Sequence, residues 1–283
     1  LNNIGFKNRK LWLESGEEAA RNRLSSFLNN ISMYDKNRDL PAVDGTSGLS
    51  VHLRFGTISI RSLIRGVYKC KSKGAKLWLS ELIWRDFYQM ILDRYPVVVE
   101  QTFLPQFNQL KWSGTNSHFI AWKKGITGYP IIDAAMRHFN ATGWMHNRLR
   151  MIVACFLVKD LLVDWRKGEA YFSRYLLDFD LAANNGGWQW CASTGCDAQP
   201  WFRIFNPVTQ SKKFDSTGNF IRKILPEVSS FSNKDIHFPA VASIETQKKS
   251  ACIIGKDYPK PIVNHAVQRD LFLNFFNQKK TKK

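Results

Sequence analysis

The chain has 283 residues, enough for one large core or two small ones, and its 44% hydrophobic and 23% charged residues exclude disorder as the default. Lys and Arg number 41 against 23 Asp and Glu, a formal net charge of +18, which draws polyanions, nucleic acid ahead of an anionic membrane surface. The longest apolar runs, such as 151–158, are far too short to span a bilayer.

In chain order the pattern is helical nearly throughout. Residues 17–29 read as an amphipathic helix with Ala20, Leu24, Phe27 and Leu28 on one side. Ser59 caps a helix reaching about residue 71. The clearest helix covers 77–95, with Leu79, Leu82, Ile83, Phe87 and Ile91 as its apolar stripe and Pro96 as its stop. Gly128-Tyr129-Pro130 opens a helix that Thr142-Gly143 closes. Another runs from Trp144 to about residue 162, and a shorter one covers 169–177. Segment 178–190 opens as a loop and tightens into a helix. After Thr194-Gly195 the chain is irregular until a last helix at 264–276. Runs of period two are few and lack hairpin turns, and neither a βαβ repeat nor GxGxxG occurs, which excludes the usual dinucleotide fold. The expectation is one all-α domain over 1–276 and a basic tail at 277–283, with Lys279, Lys280, Lys282 and Lys283.

The five cysteines, Cys70, Cys155, Cys191, Cys196 and Cys252, form no CxxC. Neither a disulfide framework nor a metal site is suggested, and a reducing, cytoplasmic setting fits. No secretory signal pattern opens the chain. Aromatic residues reach 13%, including ten Trp. Most of the Phe serve the core, but Trp is also a stacking platform for bases.

Four stretches carry chemistry. Glu81, Trp84, Arg85 and Tyr88 share one face of the clearest helix by their spacing. They read either as a solvated face with a Glu-Arg pair or as a polar pocket wall, with Trp84 stacking on a base. On the Trp144 helix, Asn147 and Met151 share a face while Arg148 points elsewhere, as a phosphate clamp does; Arg150 lies beside them. Asn147, if buried, needs partners, because an unsatisfied amide costs roughly 1–3 kcal/mol. The Gly45-Thr46-Ser47-Gly48-Leu49-Ser50 turn offers N–H groups and hydroxyls to a diphosphate, although it is no Walker motif. The densest segment, 178–190, holds Asp178, Asp180, Asn184, Asn185, Gly186, Gly187, Trp188 and Trp190; its glycines let the backbone approach something flat. A paired-carboxylate hydrolase is the rival reading of Asp178 and Asp180, but no His lies near in sequence and no nucleophile elbow exists.

Together the strings GTSGLS (45–50), ELIWRDFY (81–88), ITGYP (126–130), DAAMR (133–137), TGWMHNRLRM (142–151), DLAANNGGWQW (180–190) and RIFNP (203–207) resemble the DNA photolyase/cryptochrome family, most of all its bacterial class I cyclobutane-dimer photolyases. The likeness runs from about residue 17 to about 270. It implies an all-helical domain holding FAD in a U shape. Carried over, Tyr34, Thr46, Ser47, Gly48, Leu49 and Ser50 meet the FAD phosphates, and Trp78, Arg85 and Asn147 line the cofactor pocket. Asp178 and Asp180 contact the flavin and ribose side, and Asn184 faces the flavin N5. Trp188, Trp165 and Trp112 match an electron relay from flavin to surface, while Trp122, Trp144 and Trp201 are assigned to packing. Glu81, Trp84, Tyr88, Asn147, Met151 and Trp190 match the lesion side, and Arg38, Arg148, Arg203 and Gln210 lie near the DNA backbone. Glu81 is the expected stabiliser of the dimer radical anion.

Asn147 and Met151 stand where (6-4) photolyases have two His, and Asn184 stands where plant cryptochromes have Asp and insect ones Cys. The resemblance thus implies light-driven repair of cyclobutane pyrimidine dimers by reduced FAD. The alternative is a cryptochrome-like photoreceptor without repair. The family's amino-terminal α/β antenna domain has no counterpart in this sequence, so no antenna chromophore site is expected in the chain; an antenna would come from a separate domain or protein. The expected partner is UV-damaged DNA, with no membrane, and the expected state is a monomer. Gly48 replaces a frequently larger residue and is expected to loosen the phosphate turn slightly.

Overall fold

The computed structural model describes residues 2–5 and 11–280. Helices α1 (Gly16–Asn30), α2 (Tyr34–Asn37), α3 (Ser50–Arg54), α4 (Ile60–Tyr68) and α5 (Lys73–Arg94) come first. They enclose a small apolar cluster of Ala20, Phe27, Ile31, Tyr34, Leu49, Ile58, Leu63, Val67, Ala75, Trp78 and Leu82. The predicted helix from Ser59 ends at Tyr68, and α5 starts at Lys73, four residues ahead of expectation. Ser72 explains the early start: its hydroxyl accepts from Ala75 N at 3.1 Å, an N-cap the apolar pattern does not reveal. The predicted stripe on α5 does not persist. Gly74, Ala75, Trp78 and Leu82 are its buried residues, whereas Ile83 is exposed. The first turns of α5 pack on α1 and α2, while its second half turns toward a later helix.

A larger cluster fills the rest of the chain. It is built by α6 (Asn116–Lys124), α7 (Pro130–Thr142), α8 (Asn147–Cys155), α9 (Trp165–Tyr175), α10 (Leu181–Ala192), α11 (Pro207–Phe214), α12 (Asn219–Ile224) and α14 (His265–Lys280), with α13 (Ile244–Lys249) lying outside it. Pro130 opens α7 and left-handed Gly143 closes it, as the sequence predicts. The single helix predicted from Trp144 is broken: α8 starts three residues later and passes into a π-helix, Phe156–Asp160. There Leu161 N donates to Phe156 O at 3.0 Å, and the wider turn buries both Lys159 and Asp160. Lys159 Nζ donates to Ser193 Oγ at 3.0 Å and Arg203 O at 2.8 Å, and Asp160 Oδ1 meets His265 Nδ1 at 2.5 Å, while Asp160 Oδ2 has no partner among the described residues.

The region read as irregular contains α11, α12 and α13. Asn206 caps α11 through Val208 N and Thr209 N, with Pro207 at the first turn. The last helix extends past residue 276 to Lys280, and tail residues 281–283 lie outside the described residues. Among the described residues no strand forms, apart from an isolated bridge between Ile254 and Tyr258, and no helix is long and apolar enough to cross a membrane. The all-α expectation holds.

Candidate functional site

Helices α8, α9 and α10 meet around a cavity of about 150 Å³. Its apolar surface comes from Met151, Ala154, Phe172 and Trp188, its polar fringe from Asn147, Arg150, Asp178, Asp180 and Asn184. Such a wall suits a flat heteroaromatic with a hydrogen-bonding edge. Buried Asp178 accepts twice from Arg150 Nη2, at 2.7 and 3.0 Å, while Arg150 Nε donates to Met145 O. Asp180 caps α10 through Ala183 N and accepts from Gln89 Nε2 at 2.8 and 2.9 Å; Arg85 Nη2 stands 3.7 Å away. The two acids thus hold separate partners from separate helices. Asn184 donates its amide to Glu169, at 2.7 Å to the carboxylate and 3.2 Å to the backbone oxygen. Partial burial raises the pKa of Glu169, with the Asn184 hydrogen bond opposing the shift. Asn147 lines the cavity but is exposed, not the buried amide considered from sequence.

Along α5, Glu81 accepts from Arg38 Nη1 at 2.6 Å. Trp84 is 41% exposed and packs edge-on against Phe87, with Tyr88 tilted behind it at 6.1 Å. The Tyr88 ring abuts Gly186 of α10, and burial raises its pKa. Tyr34 and Trp78 both contact Phe27 in the small cluster; burial raises the Tyr34 pKa, and Arg38 lies over its ring at 5.3 Å. The face the spacing predicts therefore exists, and Arg85 turns to Asp180, not to Glu81.

The 46–50 turn borders a second cavity, of about 640 Å³, lined among others by Trp12, Arg23, Asp44, Thr46, Gly48, Trp144, His146 and Lys223. His146 is buried; its Nδ1 accepts from Arg148 N, and the Arg38 backbone lies within its electrostatic reach. Burial pushes its pKa down to about 4. The expectation that Gly48 loosens the turn is not what the geometry gives. The Arg23 guanidinium fills the space beside it, 2.8 Å from where a Cβ would stand.

Trp188 is buried on the cavity wall, Trp165 is buried, and Trp112 is partly exposed. The ring neighbours of Trp188 are Phe172 at 5.1 Å and Trp122 at 6.1 Å; Trp112 touches Phe275, and the Arg166 guanidinium covers Trp165. Arg148, expected near a phosphate, donates to Asp39 Oδ1 at 2.9 Å and lies over Phe214. Arg203 is exposed, Gln210 is half-buried on α11, and Trp190 sits edge-on to Phe205. Arg23, Asp39, Gln89 and Glu169 escaped the sequence reading, and Arg150 had no assigned role. The Arg148–Asp39 pair spans 109 positions, so no local spacing signals it.

These observations define an all-helical domain with a polar-fringed cavity beside an aromatic helix face. The family model described as the FAD binding domain of DNA photolyase matches residues 78–278, and the chain belongs to that family. Among its relatives, the deoxyribodipyrimidine photo-lyase of Alkalihalophilus pseudofirmus is 47% identical over 98% of this chain and 58% of its own length. That of Escherichia coli is 49% identical over 89% of this chain and 54% of its own length. The chain thus spans about half the length of the curated relatives it matches. A solved class III photolyase from Agrobacterium tumefaciens superposes with a TM-score of 0.92 at 39% identity, covering 96% of this chain and 57% of its own. A Synechocystis cryptochrome superposes at 0.90 with 31% identity, over 95% of this chain and 59% of its own.

Proposed function

We propose that the chain binds FAD non-covalently and uses it for light-driven splitting of cyclobutane pyrimidine dimers in DNA. The observation that carries the reading is the cavity of Trp188, Asn184 and the Arg150–Asp178 pair, set beside the α5 face that holds Glu81 and Trp84. The donor set fits the cofactor: a flat apolar wall with a polar fringe and, at the turn, the Ser47 and Gly48 N–H groups without an acceptor among the described residues. Bound FAD supplies light absorption and one-electron transfer.

The chain's own residues do the rest. Tyr34, Trp78, Arg85 and the 46–50 turn hold the cofactor together with Asn147, Asp178 and Asp180. Glu169 occupies the Asn184 amide donor, which leaves the Asn184 carbonyl oxygen for the cofactor. Trp188, Trp165 and Trp112 lead electrons inward from the surface. Trp84 stacks on the extruded dimer with Tyr88 supporting it, Asn147, Met151 and Trp190 complete the pocket, and Glu81, oriented by Arg38, hydrogen-bonds the lesion. Arg203, Gln210 and the Asp39-braced Arg148 flank the DNA backbone. The domain runs through the end of α14 at Lys280, past the boundary expected at residue 276, and the protein acts as a cytoplasmic monomer.

The likeness to the Synechocystis cryptochrome favours one second reading, a photoreceptor with the same cofactor and no repair. The test is a visible spectrum followed by repair of a dimer-containing oligonucleotide, in light and in darkness. Absorption near about 450 nm with light-dependent repair is expected. Bound flavin that repairs nothing after reduction points to the photoreceptor. A folded, colourless protein that takes up no added FAD defeats both readings.

A further inference from the structure

We infer that Arg23, on α1 and outside every motif visible in the sequence, is the positioning residue of the diphosphate turn, working as a matched pair with Gly48. The inference rests on the FAD reading above and deepens it.

The Arg23 side chain forks into the turn from behind. Nε donates to Ser47 O at 2.7 Å and Nη2 to Thr46 O at 3.1 Å. The end of the fork closes on Asp44, Nη2 to Oδ1 at 2.7 Å and Nη1 to Oδ2 at 3.1 Å. A trans peptide directs its C=O and N–H to opposite sides. Drawing the Thr46 and Ser47 carbonyls onto the guanidinium therefore turns the Ser47 and Gly48 N–H groups away from it. Those two N–H groups have no acceptor among the described residues. Left-handed Gly48, φ +63°, is followed by Leu49 near φ −92°, ψ 0°, and opposite-handed neighbours of this kind gather successive N–H groups into an anion-binding concavity.

Gly48 is what lets the guanidinium in. A Cβ at residue 48 would stand 2.8 Å from Nε, 3.0 Å from Nη2 and 3.2 Å from Cζ. A side chain at 48 would push the guanidinium out of this position and would itself be strained at φ +63°, so the brace reaches the turn from α1 because position 48 is bare. Asp44 neutralises the guanidinium, so Arg23 acts through shape and hydrogen bonds more than through net charge. Lysine, a point charge without the fork, cannot span both carbonyls and the carboxylate.

The experiment measures the affinity of the full chain for FAD and for ADP, which carries the diphosphate without the flavin, alongside the melting temperature of the flavin-free protein. Arg23→Gln and Arg23→Lys should each weaken both ligands by about tenfold or more. Gly48→Ala should weaken them similarly in the natural background. In the Arg23→Gln background, Gly48→Ala should weaken them clearly less than in the natural background, the remaining loss being the strain of alanine at φ +63° and the difference being the coupling of two residues acting as one unit. Unchanged affinities in Arg23→Gln would overturn the inference, and so would a lowered melting temperature without weaker binding. Equal losses from Gly48→Ala in both backgrounds would show that Gly48 acts without Arg23. A natural chain that binds neither ligand sinks the FAD reading itself, an outcome separate from one in which natural and variant chains bind alike.

Discussion

Replacing Gly168 by alanine sets two physical effects against each other, and the structure decides the sign. In a helix interior without close neighbours, alanine is favoured over glycine by roughly 0.5–1 kcal/mol. Gly168 is buried in α9, where an added Cβ would stand 2.2 Å from Trp188 Cη2, 2.4 Å from Cζ3 and 2.6 Å from Leu157 Cδ2. Carbon atoms prefer about 3.5–4.0 Å, so the indole or the helix must move by more than about an ångström. Overpacking costs about 1–3 kcal/mol, and contacts this short put Gly168 in the upper part of that range, about 2–3 kcal/mol, which leaves a net loss of about 1–2 kcal/mol after the helix gain. In a domain of this size that lowers Tm by about 2–6 °C. Thermal unfolding followed by circular dichroism measures it. Because Trp188 is the side chain displaced, light-driven reduction of bound flavin should slow in the same variant. A Tm at or above that of the natural chain would refute the reasoning, since it would mean that α9 and Trp188 are not in contact.

Gly187 gives the opposite forecast. A Cβ there meets nothing within 4 Å, and the residue lines the cavity, so Gly187→Ala should stabilise the flavin-free chain by about 0.5–1 kcal/mol while weakening FAD binding in a fluorescence titration. Trp112→Phe should slow photoreduction of oxidised flavin and leave repair by pre-reduced protein nearly intact; equal loss of both in a repair assay would assign Trp112 to packing. Trp84→Ala should weaken binding to dimer-containing DNA by about ten- to a hundredfold at fixed salt, with undamaged DNA little affected, because stacking is worth roughly 1–3 kcal/mol per base. His146 is held neutral to about pH 4, below its ordinary value of 6.5, so the unfolded chain takes up the proton first. Its contribution is fully present above about pH 6.5 and falls away toward pH 4, by up to about 3 kcal/mol. A His146→Gln variant should show a flatter Tm profile across that window, and an unchanged profile would show that His146 does not titrate there.

Much of the fold was legible because its signals are local. Pro130 and Gly143 bound α7 in the sequence as they do in space, and the scarcity of alternating runs, with no βαβ repeat, already excluded the usual dinucleotide fold. The residues of the α5 face and of the 178–190 segment were recognisable because helical spacing and composition are properties of short stretches. The breaks were less visible where a side chain, not an apolar repeat, made them. The Ser72 and Asp164 caps moved the starts of α5 and α9, and the π-helix split the helix read from Trp144.

What the sequence determined by itself is the helical class, the basic surface and the motif residues, all carried by composition and short-range order. Which partner each motif residue takes was decided by the tertiary structure. Gly186 and Gly187 look equivalent in sequence, yet one abuts Tyr88 and the other faces a cavity. No local spacing signals a partner for Arg148, yet Asp39 holds it; Gly48 looks like a weakness, yet it admits Arg23. Each of these contacts joins residues far apart along the chain. A hydrogen bond or a steric overlap acts over a few ångströms whatever the sequence separation, so only the packing of α1, α5, α8, α9 and α10 brings these atoms within range.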